Sequence, residues 1–216
     1  MSIVENLNRI KKSIPSDVKV IAVSKTKTFE DILKAYHTGH RDFGENKVQE
    51  LIIKQSQLPH DIRWHMVGHL QTNKVKYIAP FVSLIHSVDS LRLLKEINKQ
   101  GIKNNRKLSV LLQVKIALEV TKFGINPHQL ESLIHKSHSF EAVKIEGLMG
   151  MASFVDDKNQ LDKEFGALKY QFSKLKTKHP SMKVLSMGMT QDYQQAITHG
   201  STMVRIGRKI FGERST

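Results

Sequence analysis

The sequence predicts an α/β fold in which eight strands and their intervening helices close into a (β/α)8, TIM-like barrel. Two observations lead there. Short apolar runs alternate with helical patterns from one end of the 216-residue chain to the other, about eight β-then-α units with no linker, low-complexity stretch or repeat. The residues able to do chemistry fall at the C-terminal ends of those runs or just beyond, where a barrel builds its site. A doubly wound open sheet is the competing closure, but it would usually carry a glycine-rich turn after an early strand, and none is present. Residues 1–216 therefore read as a single barrel domain with a leading helix.

The leading helix covers 2–12, with Ile3, Leu7 and Ile10 on one face. The first strand spans 18–24 and runs straight into Lys25. Thr28 caps the next helix, whose period Ile32, Leu33 and Tyr36 keep. Asp42-Phe43 belongs to a short second strand, and a helix is expected to begin near Glu45, after Gly44. Arg63 to Val67 is the third strand, and a short helix around 73–79 stops before Pro80. Phe81 to His86 is the fourth strand, after which Asp89 caps a helix carrying Leu91, Leu94 and Ile97.

Leu108 to Val114 is the fifth strand and the most clearly apolar. Asn126-Pro127 starts a helix with a capping side chain followed by proline at the first helical position. Val143 to Glu146 is the sixth strand, and the helix across 158–177 repeats Leu161, Phe165, Leu168, Phe172 and Leu175 as one core-facing stripe. Lys183 to Leu185 is the seventh strand. A helix across 190–198 leads to the eighth, near Met203 to Arg205.

Composition narrows the function classes. A chain this long can bury a sizeable core, and the hydrophobic share of 39% is ordinary for a soluble protein. No apolar run has membrane-spanning length, and the start, Met-Ser-Ile-Val-Glu-Asn, lacks the basic-then-apolar pattern of a secretion signal. Zero cysteines exclude disulfides and thiol catalysis and make the cytoplasm the expected location. The formal charge of +14 raises nucleic acid as a partner. Its sources are scattered over Lys11, Lys99, Lys103, Arg106, Lys169 and Lys174, most of them on or beside helix faces and without interleaved aromatics, so a solvated lysine-rich surface explains it and no specific nucleic-acid site is expected.

Lys25 closes the run Val20-Ile21-Ala22-Val23-Ser24-Lys25. A lysine amine forms a Schiff base once it sheds its proton, and apolar barrel neighbours with Lys27 close by would favour that loss. The alternative is a lysine that merely ends a strand and points into solvent. Ser186 and Gly188 follow the seventh strand, and Gly207 and Arg208 follow the eighth. Barrels often bind phosphate with those two loops and a short helix, which Arg208 to Gly212 can form, although ordinary turn glycines read the same way. Arg205, inside the eighth strand, needs an acceptor. A pyridine nitrogen is one, and the carboxylates of Glu146, Asp42 or Glu45 are others. His65 and His69 have His-x-x-x-His spacing, but the first lies in a strand and no third ligand is near, so no metal site is expected. His65 is instead expected to line the barrel mouth at its strand end, and Asn46 to face a cofactor. A lysine after the first strand and phosphate-type turns after the last two are the layout of a barrel that holds pyridoxal 5'-phosphate (PLP).

These segments resemble the PLP homeostasis protein family, also called the YggS/PROSC family. The resemblance rests on Ala22-Val23-Ser24-Lys25, Phe43-Gly44-Glu45-Asn46, Trp64 to Gln71 with Asn73-Lys74, Lys122-Phe123-Gly124, Gly147-Leu148-Met149, Leu185 to Met189 and Gly200 to Gly207, in family order over nearly the whole chain. It implies a fold-type III barrel like the N-terminal domain of alanine racemase, with PLP held as an internal aldimine on Lys25. It also implies that Ser186, Gly207 and Arg208 meet the phosphate and that Arg205 meets the pyridine nitrogen. Two positions depart from the family pattern. Arg208 stands where a small hydroxyl residue is usual, and Lys115 to Val120 is more apolar than the loop expected there.

The resemblance implies a protein that buffers PLP or delivers it to apo PLP-dependent enzymes, with no catalytic residue assigned. Alanine racemase-like chemistry needs a second base from a second, β-rich domain, and none is expected in a chain whose final barrel segment runs to Thr216. The alternative is an amino-acid racemase-like enzyme whose second base is His65 or comes from a partner subunit. A closed sheet leaves no edge to pair, so a monomer or weak dimer is expected.

Overall fold

The computed structural model describes residues 2–117 and 123–213. Eight parallel strands close into a barrel in sequence order. They are β1 (Lys19–Val23), β2 (Asp42–Glu45), β3 (Arg63–Met66), β4 (Leu84–Val88), β5 (Leu108–Val114), β6 (Val143–Gly150), β7 (Val184–Ser186) and β8 (Met203–Ile206). Closure is made by β1 against β8, with Lys19, Val20, Ile21 and Ala22 opposite Met203, Val204, Arg205 and Ile206. The barrel expectation holds, and it follows from the βα alternation: every crossover helix needs an apolar sheet face to cover.

The helices are α1 (Ile3–Ser13), α2 (Phe29–Tyr36), α3 (Val48–Gln57), α4 (Val75–Ile78), α5 (Leu91–Lys103), α6 (Leu130–Lys136), α7 (Lys158–Lys178), α8 (Tyr193–Thr198) and α9 (Arg208–Phe211). Ser2 and Glu5 form a capping box at α1, and the Thr28 hydroxyl accepts the Asp31 N–H at α2 as expected. In α7 the stripe Leu161, Phe165, Leu168, Phe172 and Leu175 is buried throughout.

Several boundaries differ from the sequence reading, each for a local reason. Glu45 ends β2 opposite Met66 rather than opening a helix, because its carboxylate is bonded inside the protein; α3 starts at Val48. The fourth strand is Leu84–Val88, not 81–86, since the Phe81 and Val82 N–H groups close the preceding helix on the Ile78 carbonyl. Ser90, not Asp89, caps α5. Asn126 makes no side-chain cap, and its first turn is a 3-10 turn over Pro127–Gln129. β6 continues to Gly150, and α8 starts only at Tyr193.

Strand alternation divides the core into two shells. Val20, Ala22, Trp64, Met66, Ile85, Leu112, Leu148, Leu185, Val204 and Ile206 pack outward under the helices. Ile21, Val67, Leu84, Leu111, Met149 and Met203 pack inside the barrel. The same parity turns His65 in β3, His86 in β4, Ser186 in β7 and Arg205 in β8 inward, so the interior combines a small apolar set with a polar row.

Candidate functional site

A cavity of about 820 Å³ opens at the C-terminal ends of the strands. Lys25, Asn46, Arg205, Gly207 and Arg208 line it together, drawn from the ends of β1, β2 and β8. His65 and Ser186, the other two expected site residues, do not belong to its lining.

Lys25 is half-buried at the wall. The turn after it is held from behind: Thr26 sits at φ 63°, a conformation uncommon for a residue with a Cβ, and its N–H donates to Glu50 Oε2 at 2.8 Å. Beneath the turn, Glu45 Oε1 accepts the Ser24 hydroxyl at 2.6 Å and Lys54 Nζ at 2.8 Å, and Lys54 also donates to the Ser24 carbonyl at 2.8 Å. Burial raises the Glu45 pKa against the pull of Lys54 and Ser24. Lys27, expected to press electrostatically on Lys25, donates to the carbonyls of Phe211, Gly212 and Glu213 at 3.3, 3.3 and 2.7 Å, tying the β1 end to α9.

Asn46 follows β2 with its backbone pressed on Gly68. A Cβ added to Gly68 would lie 2.3 Å from the Asn46 carbonyl oxygen, so only glycine lets the two loops meet at the cavity wall.

Arg205 forms part of the lining and is only 5% exposed. The core carboxylates considered as its partners do not bind it. Its Nη1 donates to the Ser186 hydroxyl at 2.6 Å and its Nη2 to the Gly150 carbonyl at 2.9 Å. Glu146 instead takes Ser109 and Lys144, Asp42 takes Arg63 and His65, and Glu45 takes Lys54. Burial lowers the Arg205 pKa to about 10, which leaves it charged at neutral pH.

The expected short helix is present as α9, with Gly207 at its N-cap. The Gly207 N–H donates to Thr190 Oγ1 at 3.3 Å, and both residues line the cavity. Thr190 was missed in the sequence, although it lies two residues beyond Gly188 in the same turn. That turn needs glycine, because Gly188 has φ 93° and an added Cβ would lie 2.6 Å from Ala196 Cβ. The Arg208 guanidinium lies at the rim, 3.9 Å from the Glu213 carboxylate. The first N–H groups of α9 have no intrahelical acceptor and add donors to this side.

His65 is corrected in position. It lies in the barrel interior, 3% exposed, where Nε2 meets Asp42 Oδ1 at 3.2 Å and Nδ1 meets His86 Nε2 at 3.0 Å. The residue at the mouth is Val67, one past the end of β3, whose parity is also inward. His69, four residues on, does reach the cavity, stacked on Phe123 with ring centroids 4.3 Å apart and facing Asp89 at 3.5 Å. Ser186 is likewise fully buried, its oxygen 3.3 Å from His86 Nδ1. Gln113, which donates to the Phe123 carbonyl, and Ser153, whose N–H and hydroxyl both bond Glu164, complete the far wall. Of the departure read in Lys115 to Val120, residues 118–120 lie outside the described residues. Among the described residues there is no cluster of three or more ligands able to hold a metal ion, and no helix long and apolar enough to cross a membrane.

The site thus offers an amine at one wall, a guanidinium at the floor, and N–H and hydroxyl donors opposite. That is the chemistry of a pocket for a phosphorylated aldehyde with a ring acceptor. Residues 1–215 match the family model of the alanine racemase N-terminal domain. Two relatives named pyridoxal phosphate homeostasis protein are those of Aquifex aeolicus (39% identical, covering 91% of this chain and 87% of the relative) and Escherichia coli (35%, covering 93% and 87%). PipY of Synechococcus elongatus superposes with TM-score 0.93 without PLP (33% identical) and 0.89 with PLP bound (32%), each covering 98% of this chain and all of PipY. An alanine racemase of Clostridium difficile shares the fold alone, at 17% identity and TM-score 0.86, over all of this chain and 57% of the racemase.

Proposed function

Since this chain belongs to the alanine racemase N-terminal domain family and, within it, to the pyridoxal phosphate homeostasis proteins, we propose that it binds PLP reversibly and buffers or delivers it inside the cell without a dedicated reaction of its own. The observation that carries the proposal is the convergence of Lys25, Arg205, Gly207 and Arg208 on one cavity. The PLP-bound PipY structure, alike over its whole length, supports the same reading.

When bound, the group supplies an aldehyde that condenses reversibly with an amine, and a pyridine ring that draws electrons. Lys25 is the covalent anchor. Gly207 and Arg208 hold the phosphate, and Thr190 supplies the hydroxyl donor that Arg208 lacks. Arg205 faces the ring nitrogen. A guanidinium does not give up its proton there, so the ring stays a weak electron sink, which suits storage better than turnover. Asn46 borders the ring from the β2 side.

The racemase alternative loses its candidate base within the chain, since both nitrogens of His65 are engaged in the barrel interior. Relatives named as homeostasis proteins support the carrier reading. Apo PLP-dependent enzymes are the partners this reading calls for.

The test is an absorbance spectrum of the purified protein with PLP, then borohydride reduction and peptide mapping. A band that reduction fixes as a mass adduct on Lys25 is expected. No band after PLP addition, or an adduct on another lysine, overturns the proposal.

A further inference from the structure

A single row of hydrogen bonds crosses the barrel interior beneath the cavity. It runs from Arg205 through Ser186, His86 and His65 to Asp42, with steps of 2.6, 3.3, 3.0 and 3.2 Å. The four groups nearest the cavity are at most 5% exposed. At the far end, on the N-terminal face, Asp42 is fixed by a two-pronged bond from Arg63 at 2.8 and 2.6 Å.

The ends fix the direction of every bond. Asp42 is ionised: burial opposes its charge, but Arg63, His65 and Lys19 outweigh burial and hold its pKa far below the usual carboxylate range. A carboxylate only accepts, so His65 donates through Nε2. A neutral His65 then has a lone pair on Nδ1, which accepts the Nε2–H of His86. The Nδ1 of His86 in turn accepts the Ser186 hydroxyl proton, and the Ser186 oxygen is left to accept from Arg205. Every step is satisfied with both imidazoles neutral, and burial drives both of them that way. Reversing the row would leave His65 without a proton toward Asp42, or would place an imidazolium in the interior near Arg205 and Lys19.

We propose that His86 is a positioning residue for Arg205: by taking the Ser186 proton it turns the serine oxygen toward Nη1 and, with the Gly150 carbonyl on Nη2, pins the guanidinium plane at the cavity floor. The inference about the cofactor rests on the PLP reading of the cavity, whereas the orientation of Arg205 does not. His65 and Asp42 select the His86 tautomer that makes this possible.

The test begins on the parent protein without PLP. Two-bond proton–nitrogen spectra should show both His65 and His86 neutral and protonated on Nε2. An Nδ1–H tautomer or a charged ring at His86 at neutral pH overturns the proposal, and this needs no variant to fold. The Arg205 Nη signals should be split in the parent and in Ser186→Thr, which keeps the hydroxyl, and should merge in His86→Leu; unchanged splitting in His86→Leu overturns it. With PLP, His86→Leu should shift the absorbance band and weaken binding about tenfold while the adduct stays on Lys25. A parent that takes up no PLP would end the cofactor reading, but the tautomers and the Arg205 signals would still decide the positioning role.

Discussion

The Ser186 hydroxyl lies 2.6 Å from Arg205 Nη1 and 3.3 Å from His86 Nδ1, so its proton and a lone pair are both committed inside the barrel. Under the proposed PLP reading, a serine held this way would act on the ring end of the cofactor through Arg205. Thr190, on the cavity wall beside the Gly207 N–H, is placed to act on the phosphate end.

The two hydroxyls should therefore separate in a comparison of PLP with pyridoxal, which lacks the phosphate. Thr190→Val should weaken PLP about tenfold and leave pyridoxal unchanged. Ser186→Ala should weaken both ligands by the same factor and shift the PLP absorbance. Isothermal titration with both ligands checks this. A Ser186→Ala loss confined to PLP would restore the phosphate role read from the sequence.

Lys25→Ala should abolish the borohydride-fixed adduct while changing unfolding stability by about 1 kcal/mol or less, as expected for a half-buried side chain at a strand end. Denaturant melts and mass spectrometry of the reduced protein check the two halves separately. The turn itself is kept by Glu50 on the Thr26 N–H and by Lys54 on the Ser24 carbonyl, neither of which involves the Lys25 side chain.

The barrel was legible because each βα unit carries its own period, and the strand ends Lys25, Asn46 and Gly207 follow directly from it. What the sequence reading lost was side-chain direction. Val204 and Ile206 pack outward, so Arg205 between them points in, and the same count places Ser186, His65 and His86 inside. Applied to β3, that parity would have put His65 in the interior and Val67, just past the strand, at the mouth. Thr190 was hidden for another reason: it is positioned by a loop, where the positive φ of Gly188 rather than any periodicity aims the chain. His86 carried no motif, and its role exists only through contacts between β3, β4 and β7.

Lys54 is a buried cation that holds a buried acid. Its side chain is 7% exposed, and it bonds the fully buried Glu45 and the Ser24 carbonyl. Glu45 Oε2 has no hydrogen-bond partner among the described residues, so Lys54 is the main compensation for that carboxylate. Lys54→Met should cost about 3 kcal/mol by stranding a buried acid. Adding Glu45→Gln should recover part of the loss, because the stranded charge is then gone. Chemical denaturation of the two single variants and the double variant checks the coupling, and strictly additive losses would refute it.

The pH dependence of stability follows from the buried histidines. His40 is 6% exposed, donates Nε2–H to the Asp42 carbonyl at 2.9 Å and packs edge-on against Phe43. Burial, reinforced by Lys11 and Arg63 and opposed by Asp42, lowers its pKa to about 4. In the unfolded chain it titrates near the ordinary value of about 6.5. Between these values the unfolded state binds the proton that the folded state refuses. Its contribution is therefore complete above about pH 6.5 and is lost as the pH falls toward 4, a change of about 3 kcal/mol. His65 and His86, shifted the same way, steepen the fall, and Asp42 adds its own loss as the pH falls into the ordinary carboxylate range and below it. Urea melts from pH 7.5 to 4 should show the midpoint dropping steadily with acid, and His40→Phe should flatten part of that slope while keeping the contact on Phe43. A midpoint independent of pH over this range would mean that these imidazoles take up protons alike in the folded and unfolded chain, and would refute the lowered values.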